Sequence, residues 1–452
     1  MRNPAYYALA ALAALTLAAC AGSQNTAPAT RAAAAASPLP VTVIRTGPAA
    51  SQGMLSMQAA SATPTPAVTP TPSAPPRPDV VVWWPAALMP GEEDPAAAEL
   101  NAQTENFRET RARSLLIRTK RVDGPGGIMS TLHTAREVAP GALPDLALLP
   151  PESMAIAAET GLIYPLDDLL PTTLSRTLYP EATALGQVNG IQYGVPYLLR
   201  VQHTVYRETA FETPPTTYEA VLDSGQPFVF AVGPENNLND MLLIQYTAAG
   251  GRTAGDDGRP LLDEEALLTV LTFYEEAVSS GVIDAAVLEY DSPADYWDGF
   301  LSGMLSFVQV DSSTYLPALG QVPNTAAAPV PTTDGQPLTT LSGWMWVLTT
   351  TDPDRQTRAL EFLDWMMRAA NQSALAQAMG MLPSQQTALQ LWDTGDYGAL
   401  IDDLLTGDDL LMREAVNPTV AAALQNALIA VLNGSSAGDA AAEALAALEQ
   451  QG

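Results

Sequence analysis

GIQYGVPYLLRVQHTVYR, residues 190–207, opens on the Asn189-Gly190 turn and then runs through Tyr193, Val195, Tyr197, Leu199, Val201, Val205 and Tyr206. β-Branched and aromatic side chains with partial period-two alternation make it one long extended segment. Pro196 withholds a ladder donor and confines Val195 to extended φ/ψ, which fits a crossover or an edge better than the middle of one regular sheet. The segment is therefore expected to act as a hinge strand that leaves one lobe near Leu199 and enters another. That expectation requires the flanking sequence to supply two separate cores.

Upstream, residues 79–85 (DVVVWWP), 115–122 and 144–150 read as strands, and residues 96–113, 127–138 and 152–160 as helices, the last capped by Gly161. Strand–helix alternation implies right-handed crossovers and a mostly parallel sheet, whose ligands lie beyond the carboxyl ends of the strands. Trp84 and the loop 85–95 fall there. Downstream, Thr217 N-caps a short helix, 228–232 is a strand, 239–250 and 263–281 are helices, and 294–303 and 304–310 add a short helix and a strand. The chain then crosses back through the Pro-rich 322–337 into the strand 341–350 and the helix 354–370, and crosses a third time at 379–383. Helices at 385–392, 397–405, 418–432 and 437–449 complete it. Three crossings make both lobes discontinuous: 79–199 with 324–380 on the N-terminal side, 200–323 with 381–452 on the C-terminal side. A hinge of several strands bends without shearing.

The chain has 452 residues, 47% of them hydrophobic, enough for two or three cores. One cysteine, Cys20, excludes an internal disulfide framework, and two histidines, His133 and His203, leave almost nothing for a zinc site. Residues 1–20 carry a basic start, an apolar run at 5–19 too short to span a bilayer comfortably, and Leu17-Ala18-Ala19-Cys20, and so read as an export signal. Small residues before a lone cysteine resemble the bacterial lipobox, which implies a protein lipidated on Cys20 and held to the extracytoplasmic side of the cell membrane. Residues 21–78, rich in Ala, Ser, Thr and Pro, are expected to form a disordered tether reaching on the order of 40 Å, with a short strand at 41–44. All 49 acidic residues but only 16 of the 20 bases lie beyond it, a formal −33. Nucleic acid and anionic membrane surfaces would be repelled, and solubility explains the charge without a cationic ligand.

Four blocks in register carry a resemblance: LPDLALLPPESMAIAAETGLIYPLDD at 143–168, the hinge segment with its trailing PPTTYEAV, DYWDGFLSGMLSF at 295–307, and GWMWVLTTTDPDRQTRALEFLDWMM at 343–367 followed by GMLPS. They resemble the extracellular solute-binding proteins of the carbohydrate type that serve bacterial ABC importers. The resemblance implies an α/β fold of the periplasmic-binding-protein type II, with two discontinuous lobes and a multi-strand hinge. It also implies a lipid-anchored protein that captures a sugar or related polar solute and delivers it to importer transmembrane subunits, with no cofactor and no catalysis. Two features depart from the family: the strand reading LSFVQVDSSTY lacks the usual Gly-x-Trp, and Arg200 stands where maltodextrin-binding members carry a carboxylate. A surface lipoprotein that binds a glycan or a protein partner without transport is the competing reading.

Sugars present apolar C–H faces and rings of hydroxyls, so a site for them needs aromatic planes beside paired polar groups. The candidates are Trp84, Tyr197, Arg200, Asn236, Asn237, Trp297, Tyr315, Trp344 and Trp346. Alternation puts Trp83 and Trp84 on opposite faces, with Trp84 assigned to the cleft, and puts Trp344 and Trp346 on one face, where packing competes with ligand contact. Tyr296 competes with Trp297, and Asn236-Asn237 also reads as turn chemistry after Gly233-Pro234. Arg200 clamps either a hydroxyl pair or a carboxylate, unless it pairs with a neighbouring aspartate. Asp291, Asp295 and Asp298 have the composition of a glycosidase pair, but their spacing suits N-caps and a solvated face. No Ser/His/Asp set, phosphate-cradling loop or metal spacing accompanies them.

Overall fold

The computed structural model describes residues 77–450 apart from 235, 236, 408 and 409. The expected signal with Cys20, the tether to residue 76 with its strand at 41–44, and Asn236 lie outside the described residues. The fold begins with β1 (Val80–Pro85), an apolar run buried at every position. Helix α1 (Pro95–Arg111) starts where Asp94 accepts from the Ala96 amide and stops where Ala112 turns left-handed at φ 49°. After β2 (Leu115–Lys120), α2 (Ile128–Val138) and β3 (Leu146–Leu149) comes α3 (Pro151–Glu159), ended by Gly161 at φ 67°. β1 lies parallel between β2 and β3, as the strand–helix alternation requires.

The hinge segment is β4 (Gly194–Arg207). It is followed by β5 (Phe228–Val229), α4 (Asp240–Ala248), α5 (Glu264–Ser279), β6 (Phe307–Asp311), β7 (Thr325–Ala328) and β8 (Leu341–Leu348). Then come α6 (Pro353–Met366), α7 (Ala369–Ala378), β9 (Leu382–Pro383), α8 (Asp396–Thr406), α9 (Pro418–Leu432) and α10 (Ala437–Glu449). The sheet runs β2-β1-β3-β8-β4-β6-β5, with β9 and β7 also paired to β4. β4 carries two partnerships in succession: Gly194 to Val201 pair with β8, and Gln202 to Tyr206 pair with β6. The changeover thus lies two residues beyond Leu199.

Pro196 leaves its mark on the ladder. Trp344 pairs with Leu198 but Met345 with Pro196, a bulge that skips Tyr197. The carbonyls this frees are met by side chains: Ser384 Oγ donates to Pro196 O at 2.6 Å and Gln372 Nε2 to Tyr197 O at 2.8 Å. The same substitution occurs at the changeover. Val201 N donates to Ser312 Oγ at 3.3 Å, and the Thr339 hydroxyl both accepts from Gln202 N and donates to Gln202 O, each at 2.8 Å. Buried backbone groups require partners, and here hydroxyls stand in for a third strand.

Two apolar clusters flank this sheet. One gathers Val80 to Trp84, the β3 leucines, Phe107, Phe362 and Trp365; the other gathers Tyr206, Phe228, Phe307, the apolar face of α5, and α9 with α10. Several boundaries differ from the sequence expectation. The strand at 228–232 ends at Val229, the helix at 294–303 splits into a 3-10 turn (Pro293–Asp295) and a helix (Trp297–Leu301), and the Pro-rich crossing contains β7. Leu382, Leu389, Tyr397, Ile401 and Leu404, expected in the C-terminal lobe, pack into the first cluster, and Ala328 and Val330 pack into the second. α9 and α10 bury their apolar faces against α5.

Candidate functional site

A cleft of about 480 Å³ opens where β4 changes partners. One wall comes from the turns after β2 and β3, with Val122, Asp123 and Pro150 to Glu152, and from Ser342, Gly343 and Trp344 of β8. The other comes from Gln202, Asp240 at the start of α4, Asp291 to Pro293, Asp311 at the end of β6, and Arg413. Arg200 lies between them. Its backbone is held opposite Ser342, and its neighbour Leu199 is clamped between β8 and β9. The C-terminal ends of β2 and β3 feeding a cleft is the placement expected of an open α/β sheet.

Several polar groups of the cleft are committed to protein partners. Arg413 Nη1 lies 3.4 Å from Asp240 Oδ2. Burial pushes the Asp240 carboxyl up from its ordinary value, opposed by Arg413 and by a hydrogen bond with Thr340. Asp311 Oδ1 caps the turn that follows it, accepting from Ser313 N at 2.7 Å and Thr314 N at 3.1 Å. Gln309 Nε2 donates to Gln202 Oε1. Arg200 differs in being buried: its Nε–H has no acceptor among the described residues. Two further cavities adjoin. One of about 110 Å³ shares Gln202, Asp240, Asp291, Asp311 and Arg413 and adds Asn237, Asn239 and Gln309. The other, of about 480 Å³, shares only Arg200 and Trp344 with the main cleft.

The expected site residues separate into two groups. Arg200, Trp344 and the exposed Asn237 line the cavities. Trp84, Tyr197 and Trp346 do not: all three are 0% exposed and pack on one another, Trp346 standing 5.8 Å from Trp84 and 5.2 Å from Tyr197 between ring centroids. Trp84 Nε1 is occupied by Leu88 O at 3.1 Å. Trp344 reaches the cleft half-buried, whereas Trp346, two residues further along β8, is enclosed by Trp84, Tyr197 and Phe362. Trp83 is buried as well, under Lys120 Nζ at 4.6 Å, since β1 is covered on both faces. Tyr315 is buried beside His203 and Tyr397, and Trp297 is half-buried and stacked on Phe300 at 5.2 Å.

Gln202, Asp240, Asp311, Glu152 and Arg413 belong to the cleft and were not singled out from sequence. Gln202 carried a signal, two residues beyond Arg200 on an alternating strand; the others come from turns whose meeting depends on the fold. The carboxylates weighed as a catalytic pair behave as turn chemistry instead, with Asp295 Oδ2 accepting from the Asp291 and Ser292 amides at 2.9 Å each. Among the described residues no group of three or more His, Cys, Asp or Glu could hold a metal ion, and no helix is long and apolar enough to cross a membrane.

A family model described as bacterial extracellular solute-binding protein matches residues 120–400. Solved structures of the same two-lobed fold include the maltose-bound MalE3 of T. maritima, 17% identical over 82% of this chain and 100% of that one, with a TM-score of 0.64. They also include the cyclic α-maltosyl-1,6-maltose binding protein of Arthrobacter globiformis, 20% identical over 82% and 98%, TM-score 0.63. A third is a ribitol-bound ABC transporter solute-binding protein of Agrobacterium radiobacter K84, 18% identical over 82% and 98%, TM-score 0.59. No curated protein matches the chain.

Proposed function

The chain belongs to the bacterial extracellular solute-binding proteins, and from that premise we propose that it captures a carbohydrate or related polar solute between its lobes and delivers it to the transmembrane subunits of an ABC importer. One observation carries the reading: the cleft at the partner change of β4 takes walls from both halves of the sheet and combines a half-buried indole, Trp344, with the Arg200 guanidinium, whose buried Nε–H has no acceptor among the described residues. The indole offers a face to sugar C–H groups, and the guanidinium offers donors in a fixed fork to hydroxyl oxygens. A ligand touching both walls makes its full set of contacts only when the walls approach, so binding favours the closed form by that difference. Anchorage through a lipid on Cys20, after removal of residues 1–19, would keep the loaded protein near its permease, with residues 21–78 as the leash.

Tryptophan fluorescence and small-angle scattering, read across a panel of mono- and oligosaccharides and polyols, test this directly. A ligand that changes both signals supports capture with closure. Saturable binding that leaves the scattering profile unaltered would favour a glycan-binding surface lipoprotein over a transport component. A turnover product in the same mixtures would point to an enzyme, against the character of the family.

A further inference from the structure

Bases are scarce in this acidic chain, yet Arg108, Arg111, Arg113, Arg118, Lys120 and Arg121 fall within residues 108–121, where Glu109 is the one carboxylate. The fold gathers them at the end of α1 and along β2. β2 ends the sheet: it pairs with β1 and, among the described strands, with no other. Val80 N donates to Ser114 O at 3.0 Å, and in a parallel ladder alternate residues share a neighbour, so Leu116, Arg118 and Lys120 turn their backbone groups to β1. Leu115, Ile117, Thr119 and Arg121 turn theirs outward. The two ends of that outer row are closed, Leu115 O by Arg108 Nη2 at 3.1 Å and Arg121 O by Ile128 N at 2.8 Å. Between them Ile117, half-buried, and Thr119, exposed, keep an open edge.

Three of the bases are engaged within the fold. Arg108 pairs with Glu105 at 2.7 Å and Arg113 with Glu361 at 3.1 Å. Lys120 Nζ donates to Gly126 O at 3.0 Å and to Thr131 Oγ1 at 3.1 Å. Arg111, Arg118 and Arg121 are exposed and have no hydrogen bond or ion pair among the described residues.

We propose that the outer edge of β2 is a docking surface for an extended acidic segment of another protein, which adds to the sheet as a further strand while its carboxylates meet Arg118 and Arg121. In such strand addition the main chain supplies affinity and the side chains supply selection. Charges on an edge strand ordinarily keep other strands away. Here they carry one sign, so they repel a basic segment or a second copy of β2 and attract an acidic one. An anionic bilayer fits the surface less well. The six residues of β2 give a strip about 20 Å long, and exposed Glu105 and Glu109 on α1 and Asp123 beyond β2 stand beside it. A lipid plane would press on those carboxylates as well, whereas an extended chain follows the strip. Screening over about 8 Å at physiological ionic strength shields a partner there from most of the acidic body. β2 runs on into Val122 and Asp123 of the cleft wall, so a segment held on this edge lies beside the cleft. The surface does not depend on what the cleft binds.

Fluorescence anisotropy with the full chain and labelled twelve-residue peptides tests the proposal. One set alternates Glu or Asp with Val, Ile, Thr or Tyr; a second carries Lys for every acid; a third keeps the acids but places Pro at every second apolar position, which removes ladder donors. At least one acidic peptide should bind saturably, tenfold or more tighter than its Lys and Pro counterparts. Arg118→Glu with Arg121→Glu should weaken it at least tenfold, and an unchanged melting temperature would show that this variant is folded. In the native chain the peptide should slow amide exchange at Ile117 and Thr119. Failure of every acidic peptide overturns the proposal, as does equal binding by the Pro set, which would mean a charged patch without strand addition. Binding to phosphatidylglycerol vesicles in place of peptide, or self-association of the chain, lost in the same double variant, would replace the proposed partner with a membrane or a second copy and overturn it too.

Discussion

His203 should make the fold acid-labile in a defined window. The imidazole is completely buried one residue past the changeover in β4, between Tyr315 and Tyr397. Its Nδ1 lies 3.1 Å from Thr204 O, which can only accept, so Nδ1 carries the proton and Nε2 accepts from Tyr397 Oη at 3.1 Å. Burial lowers its pKa from 6.5 to about 4, against smaller opposing effects of the Thr204 carbonyl and Asp311. The sign follows from linkage. Above the unfolded value of about 6.5 both states hold neutral imidazole and the stabilisation is complete; as pH falls towards about 4 only the unfolded chain takes up the proton. At ~1.4 kcal/mol per pH unit the loss is about 3 kcal/mol, a sizeable part of an ordinary folding free energy. Carboxylate protonation in so acidic a chain changes stability over the same range, so the native profile alone is not diagnostic. Urea unfolding of the native chain and of His203→Gln, at steps from pH 7.5 to 3.5, isolates the effect. The variant should be less stable at pH 7.5, and its deficit should shrink by about 3 kcal/mol by pH 4. A deficit that stays constant across that window would refute the buried, neutral imidazole.

Other consequences are separable. Trp346→Ala should cost about 3–5 kcal/mol of stability because its ring is fully enclosed by Trp84, Tyr197 and Phe362; Trp344→Ala should cost little stability but weaken ligand binding by about 2 kcal/mol, roughly thirtyfold, as thermal melts and calorimetry would report. Asp145 is wholly buried and holds Arg355 Nε at 2.6 Å, Arg77 Nη2 at 3.2 Å and Val81 N at 2.7 Å, so Asp145→Asn should destabilise by about 3–5 kcal/mol in chemical denaturation, with a far smaller change on neutralising exposed Asp298. Thr339→Val leaves Gln202 N and O without their hydroxyl partner; a loss of about 1–3 kcal/mol and faster amide exchange at Gln202 are expected.

The fold was legible because its signals are local. Alternation and Pro196 marked residues 190–207 as a crossover, Thr217 announced a helix start, and Gly161 a helix end. Of the residues named from sequence, Arg200, Asn237 and Trp344 line the cavities, Gln202 lay within reach of Arg200, and Asp240, Asp311 and Arg413 come from turns far apart in sequence. Trp346 and Tyr197 were misplaced for one reason. A period-two argument gives a face but not a depth, and both rings lie where the sheet is covered, Trp346 enclosed by Trp84, Tyr197 and Phe362.

The charges on the two walls bear on what holds the empty protein open. Asp123 and Glu152 stand on the wall formed by the ends of β2 and β3, and Asp240, Asp291 and Asp311 on the wall across the hinge. Arg413 offsets Asp240, and Asp311 is spread over the amides it caps, but Asp123, Glu152 and Asp291 are exposed and uncompensated by any hydrogen bond to their carboxylates among the described residues. On the proposed closure these like charges would approach one another, about a pivot where Leu199 is paired on both sides. On that reading, repulsion between Asp123, Glu152 and Asp291 would favour an open unliganded state without involving Arg200 or Trp344. Screening shortens to about 3 Å at 1 M salt from about 8 Å at physiological ionic strength. The scattering radius of the ligand-free chain should thus contract as sodium chloride is raised, and Asp123→Asn with Glu152→Gln should show the contracted radius already at low salt. A radius indifferent to both salt and neutralisation would mean that the open form is set by the strand geometry of the hinge alone.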